Sequence, residues 1–347
     1  MFRRAPKKAT SAPSSTTTSS QHSLAAVGDL SSVDLPRFLQ GLQSADQGAW
    51  RRLVEKYKHL NSIEDERAAH ANDPSFEYSM CAGLSDDRDR NRYADILPYD
   101  HSRVKLTPVG KNGDDYINAS YVEAGATKYV TTQGPLDRTI PDFWQMVWET
   151  RSRVIVMLTR EQEGSRGKCS RYWPVGDKSD KAFEFSKWGG KVSFVKQELD
   201  KRAECMVREF KLTRNGEERI IWQCHYLGWP DHGVPESPQG ALELVALSRA
   251  LRRRAPDAGP MIVHCAAGVG RSGTFCVIDT CLSRINEWMR AEKEEAPGEA
   301  RDMIYEVVKR FREQRRSMVQ TLPQYEYCYW TLFHALATSF DPEGREL

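Results

Sequence analysis

The sequence predicts one α+β domain of roughly 300 residues, and three observations carry that prediction. The run Val154-Ile155-Val156-Met157-Leu158 is short and rich in β-branched residues, so it reads as a buried strand. Residues 191–199, 205–213 and 219–226 read as three further strands, the last two joined by Asn215-Gly216, the dipeptide a tight hairpin turn favours. Beyond Pro238 the pattern turns helical and is interrupted by a strand at 261–264. No internal repeat is evident.

The elements follow in order. Residues 1–35 carry Arg3, Arg4, Lys7 and Lys8, a Ser/Thr-rich stretch and no acidic residue before Asp29. Such a segment cannot bury a core, and a disordered tail is expected. Its basic, acid-poor composition also describes a mitochondrial transit peptide, against which Pro6, Pro13 and the scarcity of apolar residues argue. The domain itself is expected over 36–340, with a C-terminal tail at 341–347. Leu35, Phe38, Leu39 and Leu42, then Trp50, Leu53, Val54 and Tyr57, fall at helical spacing and predict two short helices. Residues 60–92 are polar and turn-rich. Strands are expected at 116–122 and 129–132 around a turn at Ala124-Gly125, and a helix over 140–150 bears Phe143, Met146, Val147 and Trp148. The C-terminal part predicts helices over 238–254, 272–289, 301–315 and 323–337, with a charged connection at 291–300.

Composition narrows the function classes. A net charge of +2 in 347 residues gives no bulk attraction for nucleic acid. The eight cysteines (81, 169, 205, 224, 265, 276, 281 and 328) show no CxxC pair and no Cys/His cluster at zinc spacing, so neither a metal nor a disulfide framework is expected. A reduced compartment fits, cytoplasmic or nuclear. The apolar runs fall far short of the ~20 residues of a spanning helix, and Phe2 stands where N-myristoylation needs glycine. No membrane insertion and no cofactor is expected, and a monomer is.

The chemistry concentrates at Met261-Ile262-Val263-His264-Cys265-Ala266-Ala267-Gly268-Val269-Gly270-Arg271-Ser272-Gly273. A buried strand runs into a loop of small residues and then a helix. Ala266, Ala267, Gly268 and Gly270 carry almost no side chain, so the backbone N–H groups can converge on one point, to which the helix adds its positive N-terminal end. That point suits an oxyanion. Arg271, six positions after Cys265, can return over the same anion and bind a phosphate bidentately. The same field favours a thiolate at Cys265, and His264 then serves to orient the loop rather than as a base. A buried structural thiol would explain neither the glycines nor the arginine. No Lys-Ser/Thr pair follows the glycines, so this is not a Walker loop.

Breaking a phosphate ester bond leaves an anionic oxygen that requires a proton donor. Trp229-Pro230-Asp231-His232-Gly233-Val234-Pro235 has rigid flanks, hinges at Gly228 and Gly233, and Asp231 between them, which suits a closing flap; alone it would read as a turn with a helix-capping aspartate.

With these residues the sequence resembles the protein tyrosine phosphatases, specifically the non-receptor type of the phosphotyrosine-specific class. The resemblance covers roughly residues 50–340, with six motifs in the family's order. It implies a highly twisted mixed sheet flanked by helices, with the phosphate-binding loop between a strand and a helix N-terminus. It also implies that Cys265 attacks phosphorus, that Ala266, Ala267, Gly268, Val269 and Gly270 bind the phosphoryl group through their backbone, that Arg271 holds it, and that Ser272 assists breakdown of the thiophosphate. Ala266 departs from the serine of many members. Asp231 takes the place of the general acid and base. Gln320-Thr321-Leu322-Pro323-Gln324 resembles the loop that positions the hydrolytic water, which gives Gln320 and Gln324 that role; unaided, it reads as a capped helix start.

The stretch from Arg90 to Val104 resembles the family's recognition loop, in which Tyr93 would stack on the substrate ring and Asp95 would bind peptide amides. Ala94 replaces an arginine that favours acidic flanks in some members. Asp115-Tyr116-Ile117-Asn118-Ala119-Ser120-Tyr121 and Gln133-Gly134-Pro135 match too. Lys168 falls where a lysine contacts the flap, and Glu163 is a prospective partner of Arg271; surface ion pairs are the alternative for both. The implied substrates are tyrosine-phosphorylated proteins. A catalytically dead binding module would lack the cysteine, arginine or flap aspartate, and a dual-specificity or phosphoinositide phosphatase would lack the Tyr93 wall.

Overall fold

The computed structural model describes residues 33–43, 47–86, 89–110, 113–176, 182–230, 233–294 and 301–347. The N-terminal segment read as a tail therefore lies almost wholly outside the described residues. Helices α1 (Arg37–Gln43) and α2 (Gln47–Ala68) come first. The second runs well past residue 60 into sequence that reads as turn-rich. Its extension is held from a distance: the Glu64 carboxylate accepts hydrogen bonds from Ser317 N and Oγ at 2.9 and 2.7 Å. A one-turn helix α3 (Cys81–Leu84) precedes β1 (Arg103–Lys105), β2 (Tyr116–Ala124), β3 (Thr127–Thr132), α4 (Ile140–Glu149) and β4 (Val154–Met157). Two-residue strands β5 (Gln162–Glu163) and β6 (Arg166–Gly167) form a small separate hairpin. Then come β7 (Ala182–Phe185), β8 (Gly190–Asp200), β9 (Cys205–Arg214), β10 (Glu217–Tyr226), α5 (Gln239–Arg253), β11 (Met261–His264), α6 (Gly270–Glu294), α7 (Met303–Arg312) and α8 (Leu322–Ala337).

The main sheet is mixed, in the order β1-β2-β3-β11-β4-β10-β9-β8-β7. Strand β11 lies between β3 and β4 and is parallel to both, whereas β10, β9, β8 and β7 are antiparallel neighbours. Asn215 and Gly216 both have positive φ, as the expected hairpin turn requires. Alternation along the central strands sorts side chains into two cores: Val154, Val156, Met261 and Val263 face the cluster built by α5, α6, α7 and α8, while Ile155, Met157 and Ile262 face the cluster under α4. Burial on both faces is why these strands read as continuous apolar runs. Such a strand delivers its C-terminal end rigidly, and β11 ends at His264.

The helix expected over 301–315 stops at Arg312. Ser317 and Val319 take positive φ, which no helix can hold, and the turn is fixed because Arg312 donates to Met318 O at 3.0 Å and Val319 O at 2.8 Å. Residues 341–347, read as a tail, lie against α5: Arg345 is buried and paired with Asp200 and Glu243, and Glu343 bridges Arg249 and Arg253. Among the described residues no helix is long and apolar enough to cross a membrane.

Candidate active site

The loop after β11 is shaped from its outer side. Gly134 N–H donates to Ala266 O at 2.9 Å, Arg315 Nη2 to Ala267 O at 3.1 Å, Arg315 Nε to Gly268 O at 3.0 Å, and Val319 N–H to Val269 O at 3.2 Å. Four successive carbonyls are thereby turned outward, which leaves the amides to face the opposite way, toward Cys265. Gly268 N–H reaches Cys265 Sγ at 3.2 Å. The glycines have packing reasons besides. Gly268 has φ +73°, and a Cβ there would meet Thr132 O at 2.1 Å; one on Gly273 would meet Val319 N at 2.4 Å.

Cys265 is 5% exposed. Burial alone would push its thiol up, but the Ser272 hydroxyl, the Arg271 charge and the amides of Ser272 and Gly268 together outweigh it, so the thiol lies below its ordinary range. Ser272 Oγ is buried without a hydrogen-bond partner of full geometry among the described residues, yet it lies close enough to the sulfur to act on it. That is a loose contact which a thiolate would tighten.

Arg271 folds back over the loop and grips Glu163 with two hydrogen bonds, at 2.5 and 2.9 Å, while Nη1 also donates to Leu158 O at 3.0 Å. Glu163 is buried and accepts from Thr159 Oγ1 at 3.0 Å as well. Lys168 Nζ stands 3.9 Å from the same carboxylate, at the edge of ion-pair range. His264 is fully buried and held neutral, its pKa pushed down to about 3 by burial. The Cys265 carbonyl can only accept, so His264 Nδ1–H donates to it at 3.2 Å and the neutral ring's Nε2 accepts from Tyr172 OH at 2.8 Å.

Three segments close around this centre. Arg92 ties the 89–95 loop to the strand ends through Gln133 Oε1 at 2.7 Å, Gly134 O at 2.9 Å and Pro135 O at 2.7 Å. Tyr93 is half-buried, and its hydroxyl is pushed up by burial and, against the pull of Arg92, by the charge of Cys265, which places it within electrostatic range of the thiol. Asp95 is exposed, with its carbonyl accepting from Arg316 Nη1 at 3.3 Å. On another side, Gln324 Oε1 accepts from Gln320 N–H at 3.0 Å and Thr321 N–H at 3.2 Å, the reciprocal capping arrangement at the start of α8. Both glutamines abut the loop, since a Cβ on Gly270 would meet Gln324 Oε1 at 2.9 Å and Gln320 Cβ at 3.3 Å.

Of the flap, Trp229 is buried against Tyr226 and Tyr327, and its Nε1–H donates to Gly233 O at 3.3 Å. Asp231 and His232 lie outside the described residues. A cavity of about 610 Å³, lined by Arg160, Glu163, Trp229, Pro230 and Pro235 among others, separates the flap's base from the Glu163 hairpin.

Sequence reasoning missed Arg315. It is wholly buried beneath the loop, its pKa drawn down to about 10 by burial, and its partners are neutral: Ala267 O, Gly268 O, Asn118 Oδ1 at 2.8 Å and Ser120 Oγ at 3.2 Å. Standing in Arg312-Glu313-Gln314-Arg315-Arg316, it resembles the solvated cations that usually finish a helix.

A low-pKa thiol inside a ring of inward amides, with an arginine folded over it, defines a cysteine-based phosphate-handling site. The family model for protein-tyrosine phosphatase matches residues 87–334. The chain is 40% identical over 288 residues to a receptor-type tyrosine-protein phosphatase F of Danio rerio, covering 81% of this chain and 14% of that protein. It is 40% identical over 294 residues to a receptor-type tyrosine-protein phosphatase S of Gallus gallus, covering 82% and 18%. A phosphatidylinositol phosphatase of Rattus norvegicus is 38% identical over 262 residues, covering 75% and 11%. The chain belongs to the protein-tyrosine phosphatase family. It spans less than a fifth of the length of these relatives, two of which are receptor-type where the sequence suggested a non-receptor subtype.

Proposed function

We propose that this domain removes phosphate from tyrosine side chains of proteins in two steps. In the first, Cys265 Sγ forms a bond to phosphorus while the bond from phosphorus to the phenolic oxygen breaks, and Asp231 gives its proton to that oxygen. In the second, water attacks the cysteinyl phosphate, Asp231 takes the water's proton, and the thiolate leaves toward the Ser272 hydroxyl. Arg271 and the amides of residues 266–270 carry the phosphoryl charge, Gln320 and Gln324 orient the water, and Lys168 supports the flap. Tyr93 sets a depth that a phosphoserine cannot span, and Asp95 takes the peptide's amides.

One observation supports this reading above the others: the carbonyls of residues 266–269 are all committed outward around a buried thiol of lowered pKa. A ring of uncommitted amides is a liability unless an anion occupies it. Eight free cysteines support a reducing, cytoplasmic location for a non-receptor protein, and a full-length fluorescent fusion that enters the secretory route would overturn it. The domain over 36–340 is taken to act as a monomer, which gel filtration checks.

The function is tested by turnover of phosphotyrosine peptide, phosphoserine peptide and phosphatidylinositol phosphate by wild type, Cys265→Ser and Asp231→Ala. Phosphotyrosine should be preferred, Cys265→Ser should be inactive, and Asp231→Ala should lose kcat while retaining substrate. Faster turnover of the lipid would transfer the assignment to the activity named for the rat relative.

A further inference from the structure

Arg208, on β9, is a half-buried guanidinium that meets neutral groups: Nη1 donates to Gln223 Oε1 at 2.9 Å and to His225 Nδ1 at 3.2 Å, Nε donates to Gln197 Oε1 at 3.3 Å, and the guanidinium lies 4.7 Å from the centre of the Trp173 ring. Among the described residues no carboxylate lies in ion-pair range of it; Glu161, Tyr172 and Cys205 act on it only at longer range. Desolvating a cation against neutral acceptors is costly, so its persistence asks for a reason.

Two hydrogen-bonded chains begin at this arginine. In the first, Gln223 Nε2 donates to Tyr172 OH at 2.7 Å, Tyr172 OH donates to His264 Nε2 at 2.8 Å, and His264 Nδ1 donates to Cys265 O at 3.2 Å. In the second, His225 Nε2 donates to Thr159 O at 2.9 Å, Thr159 Oγ1 donates to Glu163 Oε1 at 3.0 Å, and Glu163 holds Arg271. One chain ends on the nucleophile's own carbonyl, the other on the phosphate-binding arginine. The intermediate members of the first chain, and His225 in the second, can be reversed: the glutamine amide can flip, the tyrosine hydroxyl can rotate, and each histidine has two neutral tautomers, whereas Thr159 O and the Glu163 carboxylate only accept. An arginine only donates. Placed at the head of both chains, it presents a donor to Gln223 and to His225, an order that matches the Cys265 and Thr159 carbonyls on which the reversible bonds end.

We propose that Arg208 is a positioning residue for catalysis, setting the donor and acceptor order of the relay that orients Cys265 and of the His225 bond that anchors Thr159 beside the Glu163–Arg271 pair. This rests on the phosphatase reading and deepens it. Reversal of the first relay would put the His264 Nδ1 lone pair against the Cys265 carbonyl and release the peptide whose following amides form the anion cradle. Reversal at His225 would likewise oppose its Nε2 lone pair to Thr159 O and loosen the Glu163 hairpin.

Both head bonds leave one nitrogen, Nη1, so a lysine ammonium could donate both where a methionine could donate neither. The experiment compares Arg208→Met, Arg208→Lys and Gln223→Glu by three readouts: histidine tautomers from long-range proton–nitrogen NMR, the pH dependence of Cys265 alkylation by iodoacetate, and kcat and KM on p-nitrophenyl phosphate. Wild type should show His264 as the Nδ1–H and His225 as the Nε2–H tautomer. Arg208→Met should change both tautomers, shift the alkylation midpoint upward by about one pH unit and lower kcat about 10- to 100-fold, and Arg208→Lys should restore most of each. Gln223→Glu keeps an acceptor for Arg208, and gains an ion pair, but cannot donate to Tyr172. It should stay folded, change the His264 tautomer alone and lower kcat about tenfold. Unchanged tautomers and an unchanged alkylation profile in folded Arg208→Met, or in Gln223→Glu should that variant not fold, would overturn the proposal. A wild type with the expected tautomers but no turnover would instead count against the phosphatase reading.

Discussion

The inner and outer sides of the phosphate loop each carry an arginine, Arg271 half-buried and Arg315 wholly buried, and the two are satisfied in opposite ways. Arg271, inside, grips the carboxylate of Glu163. Arg315, beneath, is wholly buried with neutral partners and holds two loop carbonyls in place. A guanidinium held by a carboxylate is charge-compensated at rest and can share its donors with an arriving phosphate. One that faces backbone carbonyls has its donors committed to the shape of the loop. On the proposed function, the lesson is a division of labour within one residue type: Arg271 would handle transition-state charge on one side, while Arg315 preorganises the loop on the other.

The largest expected effect tests that division. Arg315→Met strands several buried acceptors at about 1–3 kcal/mol each, so thermal stability should drop steeply and kcat should fall about 100-fold or more as the amides lose aim. Arg271→Lys should also lose about 100- to 1,000-fold in kcat/KM, since its bidentate fork is gone, but calorimetry should show a nearly unchanged melting temperature. Equal destabilisation of the two variants would erase the distinction.

Next comes the clamp on Arg271. Glu163→Gln keeps the shape but removes the compensating charge, and kcat should decline about tenfold with less change in KM; steady-state kinetics across pH decides, and an unaltered kcat would show the pair to be structural.

A smaller effect lies in acid stability. Burial holds His264 at about 3 and His225 at about 4, both below the ordinary 6.5 of a free imidazole. As pH falls below 6.5 the unfolded chain takes up protons that the folded chain refuses, so stability should decrease from there down to about 4 for His225 and about 3 for His264. Urea titrations from pH 7 to 4 should show this slope, and His225→Gln should flatten it. The Cys265 thiol has the same sign in another window: its lowered folded value adds stability that is complete above the unfolded value near 9 and lost as pH falls through the folded one. The smallest effect is expected for Lys168→Ala, whose partly exposed ammonium stands 3.9 Å from Glu163; kcat should change less than about threefold, as for a weak ion pair.

The α+β class, the central strands and the loop from His264 to Gly273 were legible in the sequence because each is encoded locally. A β-branched run makes a strand, Asn215-Gly216 makes a turn, and small residues between a strand and a helix make an anion cradle. Elements that exist only through distant partners were not legible: α2 beyond residue 60 depends on Glu64 meeting Ser317, and the short edge strands carry too few residues to show a period. The end of α7 at Arg312 depends on where that arginine donates.

The sequence by itself determined which side chains could carry chemistry, since Cys265, Arg271 and Ser272 lie within one turn of backbone. Tertiary structure alone decided which way the loop's amides face and which arginines serve them, because hydrogen-bond direction is set by the partner. Arg315 lies 47 positions from Gly268, and Glu163 lies 108 from Arg271.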